Sequence, residues 1–387
     1  MNDSSILFIE IALLLILSPI VSNLIRLPIV VVEIILGSLA FYFGFLSSDE
    51  ETFKALSKIG FFYLMFLAGL EIDIKRFVAK KDTLLKSALI YFSTLYSLSF
   101  ILYLALGLSP IYIVAIPIVS LGMIMALINE HGKEFKWLEL VLIVGVMGEI
   151  VSISAIVMYE SYTHHGVGFD LYKNIAIFFI VLFLVYQSLK LTNTLFWWFP
   201  ELKESMMPQD DGKVQSVRIS AAFFIIFVAI MHILHIDMVL GAFFAGIFIS
   251  NFFEHKKDLP KMLHKVGFGF LVPIFFIYVG STLDLTLVFS VKILLNALYI
   301  MLMIIFVRAV SSYVAYRTHL SLFETQLLAL GDSMPLTFLI AIATIGYEAN
   351  LISQDEYFSF IVAGMLSGVL IMSLLKFLIA KLYAKSK

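Results

Sequence analysis

Apolar runs of helical length follow one another along almost the whole chain. They fall at about 5–25, 27–46, 56–73, 84–107, 110–128, 138–160, 172–190, 215–235, 238–253, 266–283, 292–316, 324–346 and 357–383. A spanning helix needs about 20 mostly apolar residues, so the pattern predicts thirteen membrane spans. The runs are too long and too uniformly apolar for the alternating strands of about 10 residues that build a membrane barrel. Helices remain, because a lipid-exposed backbone must satisfy its own hydrogen bonds. The predicted fold class is an all-α polytopic membrane protein. The longest polar interruption, 191–214, contains FWWFPELKESMMPQDDGK. Trp197 and Trp198 read as an interfacial aromatic anchor, and Pro200 and Pro208 stop any helix there. Seven spans precede this break and six follow. Two six-span halves joined by a linker span would form an inverted repeat, a build typical of secondary transporters.

Composition agrees: of 387 residues, 61% are hydrophobic and 14% charged, against about 45–50% and about 25% in soluble domains. Thirteen spans would occupy about 260 residues, which excludes a membrane-anchored enzyme with a cytosolic module of ordinary size. The net charge is −2 with dispersed basic residues, which points away from nucleic acid. The absence of cysteine excludes disulfide scaffolds, Cys-zinc sites and thiol switching. MNDSS lacks the basic start of a secretory signal, so the first run is expected to stay as a span.

Basic residues orient the spans. With the N-terminus outside, 21 of the 26 Lys and Arg fall in cytoplasmic segments, 4 (Lys54, Lys58, Lys173 and Lys292) fall outside, and Arg308 lies within a span. The alternation predicts N-outside and C-inside.

Ionisable residues within spans usually pair or line a water-filled path. They are Glu10, Glu33, Glu149, Arg308 and Asp332. Glu149 lies midway along its span, with Gly148 beside it and Gly145 and Ser152 about one turn away. Small neighbours leave room for water or for another helix. A carboxyl held between desolvation, which favours its neutral form, and a nearby cation, which favours its charged form, can exchange a proton for a bare metal ion. The structural alternative is a protonated Glu bonded across a helix interface. Arg308 keeps its proton and lies about 12 Å of helix from the cytoplasmic end, at the limit of snorkelling. It is expected to pair with Asp332 or Glu149.

Gly331, Asp332, Ser333 and Pro335 interrupt the twelfth span; Pro117, Ser120 and Gly122 interrupt the fifth, seven spans earlier. Corresponding breaks in two halves point to a midplane site. Glu10 reads as an interface residue near a span end, and Glu33 is open between roles. Asn129, Glu130 and His131 read as boundary residues. His232, His235 and Asp237 read as solvated loop residues or a pH-sensitive cluster, and His164 and His165 as loop residues.

VVEIILG (31–37), FLAGLEID (66–73), VLGAFFAGIFIS (239–250) and PIFFIYVGSTLDL (273–285) resemble the monovalent cation:proton antiporter family. That family lies within the sodium/hydrogen exchanger superfamily and is related to the membrane part of potassium efflux antiporters. The resemblance implies a homodimer, with a panel domain (about 5–73 and 215–283) forming the interface. A core domain (about 84–160 and 292–383) would carry two broken crossing helices and move as an elevator, with 172–190 as linker helix. It implies exchange of Na⁺ or K⁺ for H⁺ in a bacterial inner membrane, with no cofactor beyond the transported ions; a soluble regulatory domain in cis is not expected, since the chain ends at Lys387. Glu149 resembles the ion-binding carboxylate of the family, with Ser120, Ser152 and Asp332 as candidate partners, and Arg308 matches the basic residue. Glu33 is grouped with Arg308 as a charge-pairing or structural residue. The chain has Gly148-Glu149 where relatives carry a polar or acidic pair, Ser120-Leu121 where they carry Ser-Thr, and GDSMPLTF where they carry a Glu-Phe stretch.

One carboxylate site implies one-for-one, electroneutral exchange. Two alternatives are weighed. An intramembrane aspartyl protease needs two aspartates at one site, and only Asp332 lies well inside a span. A sensor or channel of the same fold would lack coupled transport.

Overall fold

The computed structural model describes residues 3–48, 50–71, 82–120, 136–165, 215–234, 238–253, 256 and 258–386, with isolated positions between 176 and 201. Among the described residues all regular structure is helical. The helices are α1 (Asp3–Ile25), α2 (Ile29–Tyr42), α3 (Glu51–Leu70), α4 (Asp82–Leu106), α5 (Tyr112–Ala115), α6 (Lys136–His165), α7 (Gln215–Ile233) and α8 (Met238–Phe252). There follow α9 (Leu259–Val266), α10 (Val272–Ser281), α11 (Leu285–Val288), α12 (Val291–Tyr316), α13 (Leu322–Asp332), α14 (Leu336–Glu348), α15 (Gln354–Leu366) and α16 (Met372–Ser386). Wide π turns at Gly267–Leu271 and Ser367–Ile371 carry α9 into α10 and α15 into α16 without a break. Among the described residues, seven helical stretches are long and apolar enough to cross a bilayer, or eight with the bent pair α13–α14 taken as one span. The protein is an integral membrane protein.

Most helices keep to the apolar runs, but α9 (Leu259–Val266) starts ahead of the run at 266–283 and α11 (Leu285–Val288) lies between two runs. Two are shorter than a full span: α2 has 14 residues and α8 has 15. Of the run at 110–128 the described part contains only the single turn α5, after which the chain leaves the helix. Its remainder, with Leu121, Gly122, Asn129, Glu130 and His131, lies outside the described residues, as do nearly all of 172–190 and both His235 and Asp237. His164 and His165 end α6 instead of lying in a loop.

Helix starts are locally encoded. Ser321 with Glu324, and Ser353 with Glu356, form reciprocal capping boxes at α13 and α15. Ser290 caps α12, accepting from the Ile293 N–H. Asp284 caps α11: its carboxylate accepts from the Thr286 hydroxyl (2.6 Å) and the Thr286 N–H (2.8 Å), which hold its pKa below the usual value. At the end of α4, Gly107 adopts φ 61°, a left-handed turn that a side chain would strain.

The chain divides into two compact units, Met1–Val78 with Gly168–Thr282, and Ala79–Val167 with Leu283–Lys387. In unit 1, α3 packs on α8, α2 on α10, and α7 on α8. Glycines permit these approaches: a Cβ at Gly246 would lie 2.8 Å from the Gly69 Cα, and one at Gly280 would press into the Ile34 backbone. Close backbone packing replaces the hydrophobic drive that lipid removes. Gly246→Val is therefore expected to destabilise the protein by about 1–3 kcal/mol, the usual cost of overpacking, read as a lower Tm in detergent. In unit 2, α12 is central, packing against α4, α13 and α15; α6 packs on α13, and α14 on α15.

Candidate ion site in unit 2

The site forms where two chain breaks meet α12. After α5 the chain runs through Ile116, Pro117, Ile118, Val119 and Ser120 without helical structure. Residues that leave a helix keep carbonyls with no intrahelical partner. The second break follows Asp332, the last residue of α13; Ser333 and Met334 precede Pro335, the cap of α14, and the two helices bend by 46°.

Arg308, wholly buried on α12, serves both breaks. Its Nη1 donates to the Ile116 carbonyl (2.7 Å) and more weakly to that of Ile304 (3.4 Å), and Nη2 donates to the Ile118 carbonyl. Its Nε donates to the Asp332 carbonyl (2.9 Å) and lies 3.6 Å from the Asp332 carboxylate Oδ2. Arg308 therefore does not snorkel: it is 0% exposed, and the carboxyl at ion-pair distance is that of Asp332. The Tyr91 hydroxyl on α4 donates to the same Oδ2. A charged pair at this depth needs its remaining valences met. The phenol and carbonyls meet those of the guanidinium and of Asp332 Oδ2, while Asp332 Oδ1 is buried with no hydrogen-bond partner among the described residues.

Glu149 sits on the buried face of α6 with Gly145, Gly148 and Ser152, and is 2% exposed. The Ser152 hydroxyl accepts from the Val119 N–H at 2.8 Å, which fastens the first break to the helix that carries Glu149. The Val119 side chain fills the space above Gly148, where a Cβ would meet it at 2.7 Å. Glycine at 148, in place of a polar residue, is thus a packing requirement of this chain. Beyond Val119, the Ser120 hydroxyl lies 2.7 Å from that of Thr337 in the first turn of α14. Gly331 packs against α6, with Val141 and Trp137 nearest to it.

The geometry thus joins Arg308, Asp332 and the chain around Pro117 directly, and ties Ser120 and Ser152 to the same break. Gly122 lies outside the described residues. Glu33 is buried in unit 1 on α2, with no ion pair or hydrogen bond of its side chain among the described residues. Its grouping as a charge-pairing residue has no support there. Glu10 is half-buried in α1, and His232 is exposed in the last turn of α7. Tyr91 and Thr337 escaped the sequence reading, because a phenol or hydroxyl in an apolar span carries no charge to flag it. The Ile116 and Ile118 carbonyls were readable in principle, since they bracket Pro117.

A polytopic helical protein with a paired guanidinium, a second buried carboxyl and two chain breaks in one unit has the build of an ion-handling membrane protein. The family comparison is specific: residues 11–381 match the transmembrane domain of sodium/hydrogen exchangers, and the chain belongs to that family. It is 26% identical over 379 residues to a Bacillus subtilis protein that bears the name Na⁺/H⁺ antiporter YjbQ, covering 91% of this chain and 59% of that one. The chain thus spans about three fifths of that relative's length. It is 24% identical over 355 residues to a Methanocaldococcus jannaschii protein named as Na⁺/H⁺ antiporter 3, covering 87% of each. The solved structure of the sodium proton antiporter MjNhaP1 from the same organism shares the fold, with a TM-score of 0.68 over 96% of each chain at 14% identity.

Proposed function

We propose that this protein is a secondary antiporter exchanging a monovalent cation, Na⁺ or K⁺, for H⁺, with Glu149 taking up either ion in turn. The observation that carries the reading is the division of charge in unit 2. Arg308 is committed to Asp332 and to carbonyls of both breaks, and Glu149 is a second buried carboxyl held beside the first break through Ser152. Ionisable groups at this depth are expensive and usually mark an ion path. The two relatives named for Na⁺/H⁺ antiport support the same class of chemistry.

With the Arg308–Asp332 pair summing to zero, one exchanging carboxyl at Glu149 would make the exchange electroneutral. The two compact units support a panel and a moving core working by an elevator step, and the two breaks support crossing half-helices within an inverted repeat of thirteen spans. Apolar outer faces of α1 and α7, with Phe8, Leu13, Ile16 and Ile225 exposed, suit contact with lipid or a second copy in a dimer. Unit 1 would form that interface in an inner membrane, with the N-terminus outside. Membership of the exchanger family sets the protease alternative aside.

Purified protein in sealed vesicles tests this. A pulse of Na⁺ or K⁺ is expected to change the internal pH, at a rate and to an end point independent of an imposed potential. A cation current with no pH change would instead indicate a channel, and an end point set by voltage would exclude electroneutrality.

A further inference from the structure

The Ser120–Thr337 hydroxyl pair has no part in the Arg308 network. It joins the two chain breaks at a second point, on the segment that Ser152 and Val119 tie to the Glu149 helix. Thr337 brings a hydroxyl to Ser120 from the opposite break. It is also half-buried, while its neighbours Leu336 and Phe338 are each 1% exposed, so the chain is open at this one residue of the turn. Among the described residues the two hydroxyls bond each other and no other group, which uses one proton and leaves lone pairs on both oxygens. Neutral oxygens of this kind suit a hard monovalent cation, adding ligands without altering the charge that Glu149 must balance.

We propose that Thr337, with Ser120, is a ligand of the transported cation and sets how tightly and how selectively it is held. The inference rests on the reading of Glu149 as the exchanging carboxyl. Ser120 was a candidate from sequence; Thr337 was not. Losing one neutral polar ligand is worth about fivefold in affinity.

The experiment measures cation-driven proton flux in proteoliposomes over a range of Li⁺, Na⁺ and K⁺ concentrations, for the wild type, Thr337→Val, Thr337→Ser and Glu149→Gln. For Thr337→Val the apparent KM for Na⁺ is expected to rise about fivefold while the maximal rate changes less. The ratio of the KM values for Li⁺, Na⁺ and K⁺ is expected to change as well, because a lost ligand acts unequally on ions of different size. Thr337→Ser, which keeps the hydroxyl, is expected to restore the wild-type values. Wild-type KM values in Thr337→Val overturn the proposal. So does an equal shift for all three cations, or a failure of Thr337→Ser to restore them, since either marks a packing role. Should Thr337→Val not fold, Thr337→Ala, which inserts no bulk, gives the same readout. If Glu149→Gln is inactive while Thr337→Val behaves as wild type, only this inference fails. Wild-type exchange by Glu149→Gln would remove the reading beneath it.

Discussion

Arg308→Met is expected to lose folded stability before it loses any particular step of transport. Methionine matches the stem of the side chain as far as Nε but supplies none of its donors. The Asp332 carboxylate then loses its ion pair, and the carbonyls of Ile116, Ile118 and Asp332 lose the group that joins them. Removing one partner of a buried pair typically costs about 3–5 kcal/mol, because the surviving charge stays buried without compensation. The expected result is a large drop in Tm in detergent, with poor yield. Arg308→Lys recovers only part, since an ammonium keeps the charge but lacks the planar fork that reaches both breaks at once. Adding Asp332→Asn to Arg308→Met is expected to recover part of the loss by removing the stranded charge. The double-mutant cycle reports the coupling between the two residues. A Tm for Arg308→Met within error of the wild type would show that the breaks are held together by other means.

Glu149→Gln is expected to abolish exchange while leaving the fold intact. Glutamine keeps the size of the side chain and its fit beside Gly145, Gly148 and Ser152, but it neither takes up a proton nor carries a negative charge for a cation. Stability should stay within about 1 kcal/mol of the wild type, the usual scale for a point substitution that adds no bulk. Proton flux on a Na⁺ pulse should fall to that of protein-free vesicles. The contrast with Arg308→Met would separate a residue that holds the site together from one that takes part in turnover. Glu149→Asp is expected to keep exchange with altered affinity, because it keeps the charge and shortens the reach.

Much of this was legible in the chain because lipid allows so few solutions. Where the runs fall on described residues, most gave the helices to within about five residues, though the run at 266–283 missed the start at Leu259; the prolines at 117 and 335 gave the two breaks. The cost of charge within a span drew attention to Glu149, Arg308 and Asp332, along with Glu10 and Glu33. What remained hidden is what uncharged groups do. Nothing in an apolar span marks Tyr91 as the donor that completes Asp332, or Thr337 as the partner of Ser120. The choice of Asp332 by Arg308 was hidden too: it depends on how α13 lies against α12, a tertiary fact. Glu33 shows the opposite case. It was conspicuous by the same rule of buried charge, yet it belongs to unit 1, away from the residues of the ion site in sequence and in packing unit.

The central claim is that one carboxyl, Glu149, binds a proton or a cation but never both. The most direct test is the apparent KM of the wild-type protein for Na⁺ in proteoliposomes at a series of pH values, with the maximal rate measured at each. Competition for one site makes the KM rise as pH falls, approaching about tenfold per unit on the acid side, the linkage slope for one proton. The maximal rate at saturating Na⁺ should hold steady over the same range. A KM independent of pH, with acid lowering only the maximal rate, would place the proton elsewhere and contradict the account.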